Sequence, residues 1–195
     1  MKLNLVKSLG FLAIAALVST GCSKTESGPG QPSSENPRLS GQEYKVISGD
    51  LKSSADAVEG TGALVFRLPL PDEDNNYNLT FDLKEGSEVT LVSQADASLS
   101  TGIQFMFFRK NGKLEGRIID GAKDTVVTED MPTLSATATV NAVLDIHGHG
   151  HIIFFDGDAE SQFEFLSRPT GKFWGLKLKD ASVKGAVLSK PKHED

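Results

Sequence analysis

The stretch Tyr77-Asn78-Leu79-Thr80-Phe81-Asp82-Leu83-Lys84 alternates apolar and polar side chains from end to end. A two-residue period puts Tyr77, Leu79, Phe81 and Leu83 on one face of a strand, whereas a helix would scatter them around its axis. Other segments repeat the pattern. Residues 62–70 place Leu64, Phe66 and Leu68 opposite Ala63, Val65 and Arg67, and in residues 135–146 Val140, Ala142, Leu144 and Ile146 share a face. Residues 102–109 and 114–119 flank Asn111-Gly112, a pair that favours a two-residue hairpin turn. Val46-Ile47 and residues 88–93, 151–155, 162–166 and 173–179 extend the series, with Gly, Pro and Asp clusters between them. About ten short strands and no helical segment long enough for a βαβ crossover predict an all-β fold, an antiparallel two-sheet jelly-roll sandwich. Eleven phenylalanines are available to fill the space between the sheets.

Composition narrows the function classes. A hydrophobic fraction of 38% is too high for a disordered chain, and a single cysteine cannot build an internal disulfide framework. The formal charge is −6 and the Lys and Arg residues are scattered, which argues against nucleic acid as a partner.

The first residues read as an address. Lys2 and Lys7 precede an apolar run from Leu9 to Val18, too short to span a bilayer, which takes roughly 20 residues, but suited to a signal peptide. Ser19-Thr20-Gly21-Cys22 resembles a bacterial lipobox, although Ser19 stands where Leu is usual. The resemblance implies cleavage before Cys22, acylation of that residue and attachment to membrane lipid. Ser23 follows the cysteine, where enterobacterial lipoproteins kept at the inner membrane carry Asp, so the resemblance points to the outer membrane. Loss of Lys2 and Lys7 takes the charge from −6 to −8. Residues 22–42 are rich in Ser, Gly, Pro and Gln and predict a lipidated flexible tether. The expected organisation is a signal peptide over 1–21, the tether over 22–42, one folded domain over 43–189 and a tail over 190–195.

The succession of elements also resembles the concanavalin A-like jelly roll, in particular its laminin-G-like members, over approximately residues 60–189. The residues that carry the resemblance are Phe81-Asp82-Leu83, the step Arg109-Lys110-Asn111-Gly112-Lys113-Leu114, and the closing Phe173-Trp174-Gly175-Leu176. It implies a final strand that pairs with the first ones, and in many such domains a Ca²⁺ ion held by loops at one rim. Glucanases of the same superfamily carry a catalytic strand of the Glu-x-Asp-x-Glu type, which this sequence lacks.

Several polar groups are candidate sites. Asp145, His147, His149 and His151 recur at every second residue, so on a strand they share one face. Neighbouring imidazoles in such a row are about 6.8 Å apart at Cα, within reach of one Zn²⁺ or Cu²⁺; a three-histidine site requires the chain to bend at Gly148 or Gly150. A solvated glycine-rich turn is the alternative reading. Asp72 with Asp74, and Asp156 with Asp158, offer oxygens for Ca²⁺ but lack EF-hand spacing, and the favoured reading of each is a solvated turn. Trp174 and Tyr77 could stack on a sugar ring or could be core. Phe105, Phe107 and Phe108 read as filling. There is no G-x-S-x-G, H-E-x-x-H, C-x-x-C or P-loop pattern. The leading expectation is a membrane-anchored, non-catalytic module that binds glycan or an envelope protein. A metal-binding envelope protein using the His147–His151 turn is the alternative, and a glycoside hydrolase a weaker one.

Overall fold

Twelve strands make up the regular structure of a computed structural model that describes residues 36–72, 74–120, 123–127, 139–147, 151–156, 159–164 and 169–190. The predicted all-β class is what forms. In chain order the strands are β1 (Arg38–Leu39), β2 (Gln42–Ser53), β3 (Val58–Phe66), β4 (Asn75–Asp82), β5 (Glu88–Ala95) and β6 (Ile103–Lys110). They continue with β7 (Lys113–Asp120), β8 (Lys123–Val127), β9 (Thr139–His147), β10 (His151–Asp156), β11 (Ala159–Glu164) and β12 (Phe173–Ser189).

All pairings are antiparallel, in the order β11-β10-β9-β4-β12-β5-β6-β7-β8, with β3 joined to β12, β2 to β3 and β1 to β2. The 17-residue β12 is the seam. Its first half, Phe173 to Lys179, lies between β3 and β5, while Ser182 to Ser189 pairs with β4. Register shifts between Leu178 and Ala181, and between Val183 and Gly185, divide the two halves. Such bulges add twist and let one strand serve two layers. The front layer is β2-β3-β12-β5-β6-β7-β8 and the back layer β11-β10-β9-β4-β12.

Alternation decides which face each strand buries. Tyr77, Leu79 and Phe81 of β4 face inward with Val140, Ala142, Leu144 and Ile146 of β9, as their sequence pattern predicts. Across the gap they meet Phe105 and Phe107 of β6 and Trp174, Leu176 and Leu178 of β12. The layers touch at Phe81 and Phe107, 5.0 Å between centroids, and at Tyr77 and Trp174, 5.3 Å apart. Asn111 (φ 53°) and Gly112 (φ 74°) form the predicted tight turn between β6 and β7, with both central residues left-handed.

The folded domain starts earlier than position 43. Leu39 is buried, the Tyr44 amide donates to Pro37 O at 3.0 Å, the Gln42 side chain donates to Ala186 O at 2.8 Å, and the Ala186 amide donates to Ser40 Oγ at 3.1 Å. A Ser/Gly/Gln composition reads as a linker, yet residues 36–42 are fixed by hydrogen bonds to the last strand. Leu68 leaves the predicted alternation and is exposed, because β3 ends at Phe66.

Candidate functional site

The outward face of the front layer carries the most varied chemistry among the described residues. On β6, Ile103, Phe105 and Phe107 point into the core, so Gln104, Met106 and Phe108 point out. Ladder register sets Lys177 opposite Thr90, Thr90 opposite Met106, and Met106 opposite Arg117. The Lys177 ammonium donates to Gln104 Oε1 at 2.9 Å. Half-burial of Lys177 lowers its pKa through desolvation, against the pull of Asp96. The Arg117 guanidinium sits 5.3 Å from the centre of the Phe108 ring, a cation–π arrangement. Phe108 is thus half-buried surface rather than filling, which corrects the expectation for that residue; strict alternation from Phe105 and Phe107 is the signal that identifies it.

A loop after β5 folds over part of this face. The Asp96 carboxylate accepts from the Ser100 hydroxyl at 2.5 Å, the Ser100 amide at 2.8 Å, and the Ser98 hydroxyl and amide at 3.0 and 3.2 Å. These bonds, the Ser100 hydroxyl foremost, pull Asp96 down to about 2. Leu99 at the loop tip is buried against Gly175, where a Cβ would stand 2.6 Å from Leu99 Cδ1 and overlap Leu64 O. Leu99, Val65, Val92 and Ala95, with Ile47 and Phe173, make a second small core outside the layer. Beside it lies a hollow of about 490 Å³ lined by Ile47, Ser48, Thr61, Ser98, Ser100 and Lys177, among others.

A larger cleft of about 760 Å³ follows the seam, with Asp50, Glu59, Asp82 and Asp180 set among Lys52, Lys84 and Lys184. Its four acids are offset in large part by three lysines. Lys184 Nζ lies 2.6 Å from Asp82 Oδ2 and, together with the Thr139 hydroxyl, lowers Asp82; Thr61 donates to Asp180 at 3.1 Å.

The residues singled out from sequence fall in different places. Trp174 and Tyr77 are each 0% exposed, so neither can stack on a sugar; both are core. Trp174 stacks on Phe66 with centroids 3.8 Å apart, the Tyr77 hydroxyl shares a 2.5 Å hydrogen bond with Ser93, and burial pushes the Tyr77 phenol up. The β9–β10 register sets His147 opposite His151. His147 Nε2 lies 3.4 Å from Asp145 Oδ2, and Nδ1 lies 3.9 Å from Asp74 Oδ2. One acidic cluster and the histidine segment therefore meet at one end of the back layer, which sequence spacing does not disclose. Asp72, in the same loop, pairs with Lys190 at 3.4 Å.

Asp156 closes the other end of β10, five residues or about 17 Å from His151 in an extended strand, so the two acidic clusters cannot share one Ca²⁺. Among the described residues no three His, Cys, Asp or Glu side chains converge as a metal site. Cys22, His149 and Asp158 lie outside the described residues, and the His151 and Asp156 side chains are not described.

A hydrolase acid needs a raised pKa. Among the described residues, the carboxylates that the fold perturbs, Glu43, Asp82, Glu85 and Asp96, are all lowered, Glu43 by Arg38 and Glu85 by the Gly112 and Asn111 amides.

No protein-family model and no curated protein matches the sequence. Solved structures do match the fold. A carbohydrate-binding module, CBM66, from Bacillus subtilis is 12% identical, with TM-score 0.60, covering 79% of this chain and 99% of that one. A Bacillus licheniformis β-glucanase is 9% identical, with TM-score 0.55, covering 76% and 92%. The exoplasmic/lumenal domain of VIP36, in its Ca²⁺- and mannose-bound form, is 10% identical, with TM-score 0.53, covering 78% and 84%. At such identities the likeness is one of fold, and that fold is a jelly-roll sandwich.

Proposed function

We propose that this chain is an envelope lipoprotein whose jelly-roll domain binds glycan without cleaving it. The observation that carries the reading is the outward front face, where Gln104 and Lys177 offer hydrogen bonds beside Met106 and the Arg117-covered Phe108. Polar groups fixed next to half-buried apolar surface are what a sugar requires, since a pyranose ring presents hydroxyls at its rim and C–H groups on its faces. The fold shared with a carbohydrate-binding module supports it.

Lipidation at Cys22 would tether the domain to the outer membrane through residues 23–35. Two or three acyl chains, at roughly 0.8 kcal/mol per buried CH₂, hold a protein at a bilayer without electrostatic help.

A glycan array probed with the purified protein tests the reading. Saturable binding to at least one oligosaccharide, with no reducing ends released on prolonged incubation, is expected. An empty array, or turnover of a bound polysaccharide, would overturn it. Cys22→Ala should move the protein from the membrane to the soluble fraction; retention through a carbonate wash would refute the anchor.

A further inference from the structure

We propose that the hollow beside Lys177 receives a carboxylate-bearing sugar, a uronate unit of an acidic glycan, with the Lys177 ammonium as its anchor. The inference rests on the glycan reading above and names its ligand class.

Three observations lead there. The first is a cation with no contact ion pair. Lys179 and Lys184 each hold a carboxylate, Glu88 at 2.8 Å and Asp82 at 2.6 Å. Lys177, half-buried between them and the Asp96 loop, forms no ion pair among the described residues, and its one hydrogen bond goes to a neutral amide. An ammonium has three donors, so two stay available. Asp96 pulls on this charge from nearby but forms no ion pair with it, its carboxylate being held by Ser98 and Ser100. Holding a partly desolvated charge with no carboxylate in contact costs folding free energy, and perturbed groups of this kind concentrate at ligand sites.

The second observation is what surrounds it. Ser98 and Ser100 donate their hydroxyl protons to Asp96, which leaves their oxygens as acceptors for ligand O–H groups, while the exposed Ser48 hydroxyl can donate. Half-buried Ile47 supplies an aliphatic wall. One cation, several oriented hydroxyls and one apolar wall match a pyranose uronate. A phosphate would call for several cations, and an acidic peptide makes little use of the hydroxyl array. The third is size: about 490 Å³ falls within the roughly 300–1,000 Å³ of small-ligand sites.

The test is calorimetric titration of the full chain, purified in detergent, with oligogalacturonate, alginate and hyaluronan oligosaccharides. Each is compared with its carboxyl-reduced counterpart, and polyglutamate serves as a charge control. At least one uronate should bind about tenfold or more tightly than its reduced form, weaken with added salt, and lose that advantage in Lys177→Gln while Lys177→Arg keeps most of it. Equal affinity for both forms, or binding of neutral glycans alone, would overturn the acidic-sugar inference and leave the glycan reading standing. Polyglutamate bound as tightly as the uronate would reassign the hollow to an acidic protein segment. No saccharide bound at all would remove both readings. Should Lys177→Gln fail to fold, the comparison of acidic with reduced oligosaccharides on the unaltered protein decides the matter.

Discussion

Lys177 and Trp174 stand three positions apart on one strand and answer to different demands. Trp174 is wholly enclosed and stacked on Phe66, so Trp174→Ala should cost about 3–5 kcal/mol in urea denaturation, with any glycan binding altered only through unfolding. Lys177 is a half-buried cation with no carboxylate in contact, so Lys177→Met should leave Tm unchanged or raise it while weakening acidic-ligand binding; a marked fall in Tm would count against its functional assignment. Asp96 gives a pH signature. Its folded pKa, about 2, lies below the ordinary 3.8, so its contribution is complete above about pH 4 and is lost as pH falls towards 2. Amide exchange at Ser98 and Ser100 should quicken across that window and already be fast at neutral pH in Asp96→Asn. Unaltered exchange would mean that the carboxylate does not hold the loop.

Among the elements, β6 shows how far a two-residue period can be trusted. In Phe105-Met106-Phe107-Phe108 the adjacent Phe107 and Phe108 must face opposite ways, whatever their common hydrophobicity suggests. Phe107→Ala should therefore cost about 3–5 kcal/mol, and Phe108→Ala no more than about 1 kcal/mol; equal losses by chemical denaturation would disprove the assignment of faces. The second half of β12 and most of β2 are harder to find in the sequence. Lys179-Asp180 and Lys184-Gly185 break the alternation at the bulges, and β2 alternates poorly where Gly49, Asp50, Lys52 and Ser53 lie exposed. Edge and seam strands need not hide a whole face, so their sequences carry little period. At Gly175 a methyl group would collide with Leu64 O and Leu99. Gly175→Ala should destabilise by about 1–3 kcal/mol and dislodge the Asp96 loop, visible as faster amide exchange at Leu99.

For the whole molecule, the junction between tether and domain is the sharpest prediction. A chain beginning at Asn36 should unfold at the same denaturant concentration as one retaining residues 23–35. A chain beginning at Glu43 loses buried Leu39 and the Ser40 and Gln42 bonds to Ala186, and should be about 2 kcal/mol or more less stable. Equal stability would return the boundary to position 43.

The amino-acid sequence alone determines the β class, the inward faces of β4 and β9, and the Asn111-Gly112 turn, because period and turn chemistry are local properties. It also holds the whole case for lipidation at Cys22. Tertiary structure alone decides that Trp174 and Tyr77 are enclosed, that Asp74 meets His147, and that Lys177 faces a hydroxyl-lined hollow while bonded only to the Gln104 amide. Each of these depends on which strands become neighbours. Pairing between residues as distant as Gly60 and Ala181 is set by the closing of two layers over one core, a property that no single segment encodes.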